Sequence, residues 1–413
     1  MSNNSLDTEK KKDWLKWAIP CLFFVIGLIL PSPFFHKSVK KIRANKDYAV
    51  LTDTTNMILK DGVYNGSIIK GTITKHGYGK FETKSGSVYE GEWKNDLLPY
   101  GKRTTPYSIY SGQFNEELEC HGFGIIEYTP NYIEQKKKNG LADSQILAKY
   151  IGNWKKDTKN GLGRAVMTDN SMEFGIFTDG ILQKVEGANY RIGGSVYGID
   201  ASHHQEDIDW DQLAIYCDKN GTVYKKAPAQ TTYMQPVFFA YIKATEGATI
   251  KDEKYNIRMI EAERHGITKG AYHLLRLVTS SIDDQLKNFF ETVTWAQGDL
   301  PPALDIEFEN EILNIGTENF YDMTLKWLQE VEKKMGVKPI IYTNEHIRTK
   351  YMQDERLNGY DIWISKYSDT PNNFDWQFWQ ISETGQIRGN KGNIDLNIFK
   401  GNYTAFSKFI NKK

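Results

Sequence analysis

Apolar and polar positions divide the chain into three textures. From Trp17 to Phe35 the residues run WAIPCLFFVIGLILPSPFF without a charge. At ~1.5 Å per residue the stretch reaches roughly 28 Å, enough to cross a bilayer core. Pro31 and Pro33 mark its exit. Lys10, Lys11, Lys12 and Lys16 precede it, as in a cleaved signal peptide, but no A-x-A-like site follows. The stretch therefore reads as an uncleaved, single-pass transmembrane helix. Lys37, Lys40, Lys41, Arg43 and Lys46 lie beyond it, so charge alone does not choose an orientation.

The second texture repeats. Tyr64-Asn-Gly66 precedes Gly77-Tyr-Gly79, and Tyr89-Glu-Gly91-Glu-Trp93 precedes Gly101. Tyr110-Ser-Gly112-Gln-Phe114 precedes Gly122-Phe-Gly124, and Tyr150-Ile-Gly152-Asn-Trp154 precedes Gly161-Leu-Gly163. Phe174-Gly175-Ile-Phe177 is a degenerate last copy. Aromatic, small and aromatic residues alternate, then a polar turn leads back through a glycine pair. That is strand chemistry with tight turns, one hairpin per copy, and no hairpin buries enough to stand alone. The unit resembles the MORN (membrane occupation and recognition nexus) repeat over Gly62 to Leu182. An insertion around Pro130–Leu147, carrying Lys136, Lys137 and Lys138, interrupts it. Such a sheet serves either as a spacer or as a docking face for a protein or lipid partner.

From Val196 short apolar runs alternate with helix-like segments, the pattern of an α/β barrel. Strands are predicted at Val196–Asp200, Val237–Thr245, Thr268–His273, Pro302–Glu307, Pro339–Thr343, Asp361–Ser365, Asp375–Gln380 and Asn393–Leu396. Helices are predicted at Glu253–His265, Ser281–Trp295 and Asn319–Met335; the last repeats Phe320, Met323, Trp327, Val331 and Met335 at helical spacing. The expected fold class is thus multidomain: a transmembrane helix, an all-β repeat sheet and an irregular TIM-like barrel. The corresponding boundaries are a tail over 1–16, an anchor over 17–35, a juxtamembrane linker over 36–61, repeats over 62–182 and a barrel over 196–413.

Composition adds two exclusions. Lys+Arg and Asp+Glu both number 52, so no global field favours nucleic acid. Cys21, Cys120 and Cys217 show no CxxC spacing, so neither a metal site nor a disulfide framework is indicated.

In a barrel the chemistry collects at the C-terminal ends of the strands. Walking those ends gives Asp200, Glu246, His273, Asp305 with Glu307, Tyr342, Ser365 with Tyr367, Gln380 and Asp395. Within Leu304-Asp305-Ile-Glu307, residues i and i+2 share one face of a strand. Close carboxylates resist joint ionisation, so one pKa should rise, as a general acid requires. Cleavage of a glycosidic bond needs that pairing: a proton for the leaving oxygen and a carboxylate facing the developing positive charge.

The same region resembles glycoside hydrolase family 25, the lysozymes first known from a fungus and from bacteriophages. The resemblance rests on Gly198-Ile-Asp200-Ala-Ser202-His-His-Gln205, Tyr241-Ile-Lys243-Ala-Thr-Glu246-Gly247, Gly270-Ala-Tyr272-His273 and Leu304-Asp305-Ile-Glu307. It continues through Pro339-Ile-Ile-Tyr342, Trp363-Ile-Ser-Lys-Tyr367, Trp379-Gln380 and Gly392-Asn-Ile-Asp395-Leu-Asn397, to about Gly401. It implies cleavage of the β-1,4 bond between N-acetylmuramic acid and N-acetylglucosamine in peptidoglycan, without metal or organic cofactor. By motif position Glu307 is the general acid/base, and Asp305 supports the substrate's acetamido group or otherwise stabilises charge. Asp200 and Asp395 complete the acidic floor, while Tyr272, Tyr342, Lys243, Trp363 and Gln380 line the groove. His203 either contacts substrate or satisfies strand-end hydrogen bonds.

Three departures stand out. Glu206 replaces a glycine that many relatives carry, and Leu274 and Leu275 replace aromatics that often follow the Tyr-His pair. An insertion over Asp218–Pro236 precedes the second strand and is expected on the face opposite the active site. The alternatives to a resident wall-remodelling enzyme are a non-catalytic glycan-binding scaffold and a toxin or lysin aimed at another cell's wall. Peptidoglycan lies outside the cytoplasmic membrane. The expected location is therefore the bacterial cytoplasmic membrane, single-pass, with the barrel exported.

Overall fold

A computed structural model describes residues 50–183, 194–218, 220–229, 233–371 and 374–411. They form two compact units. One holds the described residues through Thr105 with Ile109–Glu119, and the other holds Pro106–Ser108 with the chain from Cys120 onward.

The first unit contains β1 (Leu51–Leu59), β2 (Gly62–Ile69), β3 (Lys75–Thr83), β4 (Val88–Trp93), β5 (Tyr100–Thr104) and, from Ile109, β6 (Ser108–Phe114), each paired antiparallel with the next. The sheet thus starts before the repeat pattern does, because β1 pairs with β2 without carrying the aromatic–glycine signature. The second unit opens with β7 (Cys120–Tyr128), α1 (Pro130–Lys138), β8 (Leu147–Lys155), β9 (Thr158–Met167), β10 (Met172–Thr178) and β11 (Ile181–Leu182). These strands also pair antiparallel in succession from β7 to β11. The interruption at Pro130 is helical: proline suits a first helical position, and Lys136, Lys137 and Lys138 sit where the helix dipole favours cations.

One side-chain device recurs through these strands. Tyr64, Tyr110 and Tyr150 each donate a hydroxyl hydrogen bond to the carbonyl three residues on, at Ser67, Gln113 and Asn153 (2.9, 2.8 and 3.2 Å). Trp93 and Trp154 donate Nε1 to the carbonyls of Gly79 and Gly124, both at 3.1 Å. The glycines make room for the rings: a Cβ on Gly79 or Gly163 would overlap the phenol of Tyr64 or Tyr150.

The rest of the second unit is a closed barrel. Its strands are β12 (Val196–Ala201), β15 (Phe239–Glu246), β17 (Thr268–Leu274), β18 (Ala303–Ile306), β19 (Ile340–Asn344), β20 (Ile362–Ser365), β21 (Phe378–Gly385) and β22 (Ile394–Phe399). A hairpin, β13 (Ala214–Cys217) with β14 (Tyr233–Pro236), precedes β15, and the short β16 (Ile250–Lys251) follows it. The helices are α2 (Tyr255–Arg264), α3 (Ile282–Thr292), α4 (Glu309–Ile315), α5 (Thr317–Met335), α6 (Glu345–Tyr351) and α7 (Tyr403–Ile410). Pairing of β12 with both β15 and β22 closes the ring.

The barrel is irregular in two respects. β22 runs antiparallel to both its neighbours, and the β12–β15 crossover carries the β13–β14 hairpin in place of a long helix. The barrel interior is aromatic, with Tyr241 stacked on Trp363 at 4.6 Å and Phe239, Phe378 and Phe399 beneath, where α7 inserts Phe406 and Phe409. This plugged lower end leaves the strands' C-terminal ends as the open mouth.

Two expectations are corrected. Among the described residues no helix is long and apolar enough to cross a membrane, which counts against the single-pass, membrane-anchored localisation. The longest of them, α5, buries Phe320, Trp327, Leu328 and Val331 on one face, while Glu318, Asp322, Lys326 and Lys333 on the same helix make exposed ion pairs. The segment 17–35 itself lies outside the described residues. The insertion over Asp218–Pro236 does not keep to the lower face: Lys225 Nζ donates to the carbonyl of Tyr367 (2.8 Å), and Lys226 Nζ to that of Thr384 (2.6 Å). Both carbonyls lie at the mouth, beyond Ser365 on β20 and Gln380 on β21.

Candidate active site

The parallel strands and the reversed β22 bring four carboxyls to the mouth. Asp200 ends β12, Asp395 begins β22 directly opposite it, Asp305 lies on β18, and Glu307 follows where that strand runs out. Alternation places Asp305 and Glu307 on one wall, while Ile306 turns into the apolar layer beneath the helices.

Hydrogen bonds organise the floor. Asp200 Oδ2 accepts from Gln380 Nε2 (2.8 Å) and Asn397 Nδ2 (2.7 Å). Asn397 Oδ1 accepts from Trp363 Nε1 (2.7 Å), which fixes the amide so that its NH2 faces Asp200. Gln380 Oε1 accepts from the hydroxyls of Tyr342 and Tyr367, both at 2.9 Å. Every donor that Asp200 gains favours its charged form.

The environment raises all four pKa values. Burial holds the Asp305 carboxyl well above the carboxylate range; Glu307's charge adds to this and Lys243 opposes it. Asp305 is 6% exposed, and its Oδ1 has no hydrogen-bond partner among the described residues. Glu307 is exposed to solvent; partial loss of hydration and Asp200's charge raise its pKa, against Lys243. Burial and the neighbouring Asp200 push Asp395 up to about 10, so that Asp395 carries the proton in its hydrogen bond to Asp200. Four carboxyls with raised pKa values therefore share a small space, an arrangement that general acid chemistry uses.

The family profile "Glycosyl hydrolases family 25" matches residues 199–390, a span holding Asp200, Asp305 and Glu307. The uncharacterized protein YegX of Escherichia coli K12 is 32% identical over 220 residues, covering 52% of this chain and 74% of that protein. Lysozyme M1 of Streptomyces globisporus is 29% identical over 223 residues, covering 50% of this chain and 68% of that one. Among solved structures, the lysozyme from Streptomyces coelicolor is 27% identical with a TM-score of 0.44, covering 53% of this chain and 98% of that one.

The chain belongs to glycosyl hydrolases family 25. It is a glycoside hydrolase.

The residues expected to line a family 25 groove divide by depth. Tyr272 is half-buried at the mouth. Lys243, Tyr342 and Gln380 are buried; Tyr342 and Gln380 belong to the network, and Lys243 Nζ pairs with Glu246 Oε2 at 2.7 Å. Trp363, 2% exposed, lies under the floor and acts on it through Asn397. His203 is held by Asp252, whose Oδ2 faces both its Nδ1 (3.0 Å) and its backbone N–H (2.7 Å).

Asn397 and Glu383 were absent from the expected site of this family 25 domain, and Tyr367 was counted among the strand ends without a role. Asn397 could have been found from its i+2 spacing to Asp395 on one strand. Tyr367, 41% exposed, presents its ring at the rim. The charge of Glu383 helps to raise the pKa values of Glu307 and Asp395. A separate depression of about 580 Å3 between α3 and α5, lined by Leu286, Phe290 and Lys334, contains none of these carboxyls.

Proposed function

We propose that the chain is a muramidase that hydrolyses the β-1,4 bond between N-acetylmuramic acid and N-acetylglucosamine in peptidoglycan. Glu307 acts as general acid and then general base, Asp305 supports the acetamido group of the sugar, and Asp200 and Asp395 tune both. The observation that carries this reading is the pairing of a solvent-reaching Glu307 with a buried Asp305, both with raised pKa values.

A protonated Glu307 gives its proton to the leaving glycosidic oxygen. Positive charge then develops at the anomeric carbon, and the acetamido oxygen attacks there. Asp305, with Oδ1 unpartnered, accepts the acetamido N–H and stabilises the cation as it forms. Water, deprotonated by Glu307, completes hydrolysis. Tyr272, Tyr342, Lys243, Trp363, Gln380 and His203 hold the groove, directly or through the floor. Trimming or local opening of the wall is the use this chemistry serves.

The tyrosine and tryptophan hydrogen bonds repeated along β2 to β9 support reading 62–182 as MORN-type repeats, with 196–413 as the hydrolase domain. A protein or lipid partner of the repeats is part of this proposal. Incubating the full chain with purified peptidoglycan and identifying the new reducing sugar by mass tests the activity. Muramic acid ends support it, and glucosamine ends or none overturn it.

A further inference from the structure

The insertion between β13 and β14 sets this chain apart, and its described residues run along the rim of the mouth. Asp218 turns the chain, its Oδ1 accepting from the N–H groups of Asn220 (2.8 Å) and Thr222 (2.9 Å). Val223 then pairs with Cys217, and the strap crosses to the loop after β21. There the Gln386 N–H donates to the Lys225 carbonyl (3.0 Å), and Gln386 Oε1 accepts from the Ala227 N–H (3.2 Å). The two lysine ammonium groups reach on to main-chain carbonyls at the mouth, Lys225 to Tyr367 and Lys226 to Thr384.

Tyr367 is therefore held at both ends. Lys225 fixes its carbonyl at 2.8 Å, and its own hydroxyl donates to Gln380 Oε1 at 2.9 Å. Gln380 in turn donates to Asp200 Oδ2 at 2.8 Å. A continuous line of hydrogen bonds leads from the insertion, through an exposed ring, to the carboxylate whose charge acts on Glu307. Charge-assisted bonds are the stronger kind, and Lys225 supplies one at the outer end of the line.

We propose that Lys225 is a positioning residue for the glycosidase site: through Tyr367 and Gln380 it fixes the rim on which the glycan lies and the orientation of Asp200. The proposal rests on the muramidase reading above. Without the ammonium, the Tyr367 turn loses an anchor on its outer side. The ring then samples positions that do not meet a sugar, and Gln380 Oε1 loses part of its support. Affinity for the glycan falls more than the chemical step does.

The test compares the full-length wild type with Lys225→Met, Lys225→Arg, Tyr367→Phe and the double variant Lys225→Met/Tyr367→Phe. Release of reducing ends from peptidoglycan is followed against substrate concentration and pH, with thermal unfolding measured alongside. Lys225→Met is expected to raise KM about fivefold, the worth of one hydrogen bond, with a smaller change in kcat. Lys225→Arg, which keeps a donor, restores KM. The double variant is no worse than the more impaired single variant, because both changes cut the same line. Unchanged KM and pH profile in Lys225→Met overturn the proposal, as do fully additive effects. A KM that rises only in step with lost thermal stability, and that arginine fails to restore, also overturns it. A wild type that releases no reducing ends brings down the muramidase reading and this role with it. An active wild type beside an unaltered Lys225→Met brings down the role of Lys225 alone.

Discussion

Asp395 lies directly opposite Asp200 across the antiparallel pairing of β22 with β12, and the two carboxyls share a hydrogen bond. Two acids at that spacing cannot both ionise cheaply, so one keeps its proton. Asn397 and Gln380 both donate to Asp200, which makes Asp200 the member that carries the charge.

This pair makes the barrel sensitive to alkali. Burial and Asp200 raise Asp395 from the ordinary carboxylate range to about 10, so the folded protein holds that proton more tightly than the unfolded chain does. The resulting stabilisation is complete below the ordinary carboxylate range and is lost as pH rises toward about 10. Asp395→Asn keeps a donor for Asp200 and removes the titration. Its melting temperature should fall less steeply between about pH 6 and pH 9 than that of the wild type. Parallel curves for the two proteins would show that Asp395 is not the proton holder.

His273 has the opposite sign. Burial lowers its pKa to about 4, and the ring sits between Thr245 Oγ1 (2.7 Å) and Gln285 Oε1 (3.0 Å). The unfolded chain binds a proton here first, so stability is lost as pH falls from the ordinary histidine range toward about 4. His273→Phe keeps the stack on Trp327 and leaves the buried Thr245 Oγ1 without its ring partner, while Gln285 Oε1 keeps the Arg276 N–H; the cost is about 1–3 kcal/mol. Melting curves should show a lower but flatter acid limb. An acid limb as steep as that of the wild type would contradict this.

Much of this architecture was legible in the sequence. Each predicted barrel strand overlaps an observed one, because a fully buried strand is a short apolar run that ends where a polar residue meets the mouth. The reversal of β22 was not legible, since alternation does not record strand direction. Glu383 was missed for a related reason: the irregularity between Gln380 and Ser382 shifts the register against β22, so counting by twos from Gln380 misassigns the residues beyond it. The destination of the insertion was missed because lysine-to-carbonyl bonds across about 140 residues leave no local pattern.

Asp200 and Asp305 should separate in a pH profile. The rise in the pKa of Glu307 comes from burial and from Asp200, ahead of Glu383. Asp200→Asn should therefore lower that pKa and move the alkaline limb of kcat to lower pH, since a general acid must be protonated to act. Asp305→Asn should depress kcat and move that limb less. Equal displacement by both variants would mean that Asp305 governs the proton on Glu307.

The repeated strands offer a test of packing. A Cβ at Gly79 or Gly163 would force the phenol of Tyr64 or Tyr150 from its bond to the carbonyl three residues on. Gly79→Ala and Gly163→Ala should each cost about 1–3 kcal/mol, read by chemical denaturation. Wild-type stability in both would show that the tyrosine pocket has slack.

The central claim is that Glu307 supplies the proton that breaks the glycosidic bond. The most direct measurement is the rate at which the full-length Glu307→Gln variant releases reducing ends from peptidoglycan, beside the wild type at equal concentration and with matching thermal unfolding. The amide keeps the shape and cannot donate the proton, so turnover should fall by at least ~10²–10⁴-fold while the melting temperature is kept. Release at a rate near that of the wild type would contradict the assignment of Glu307.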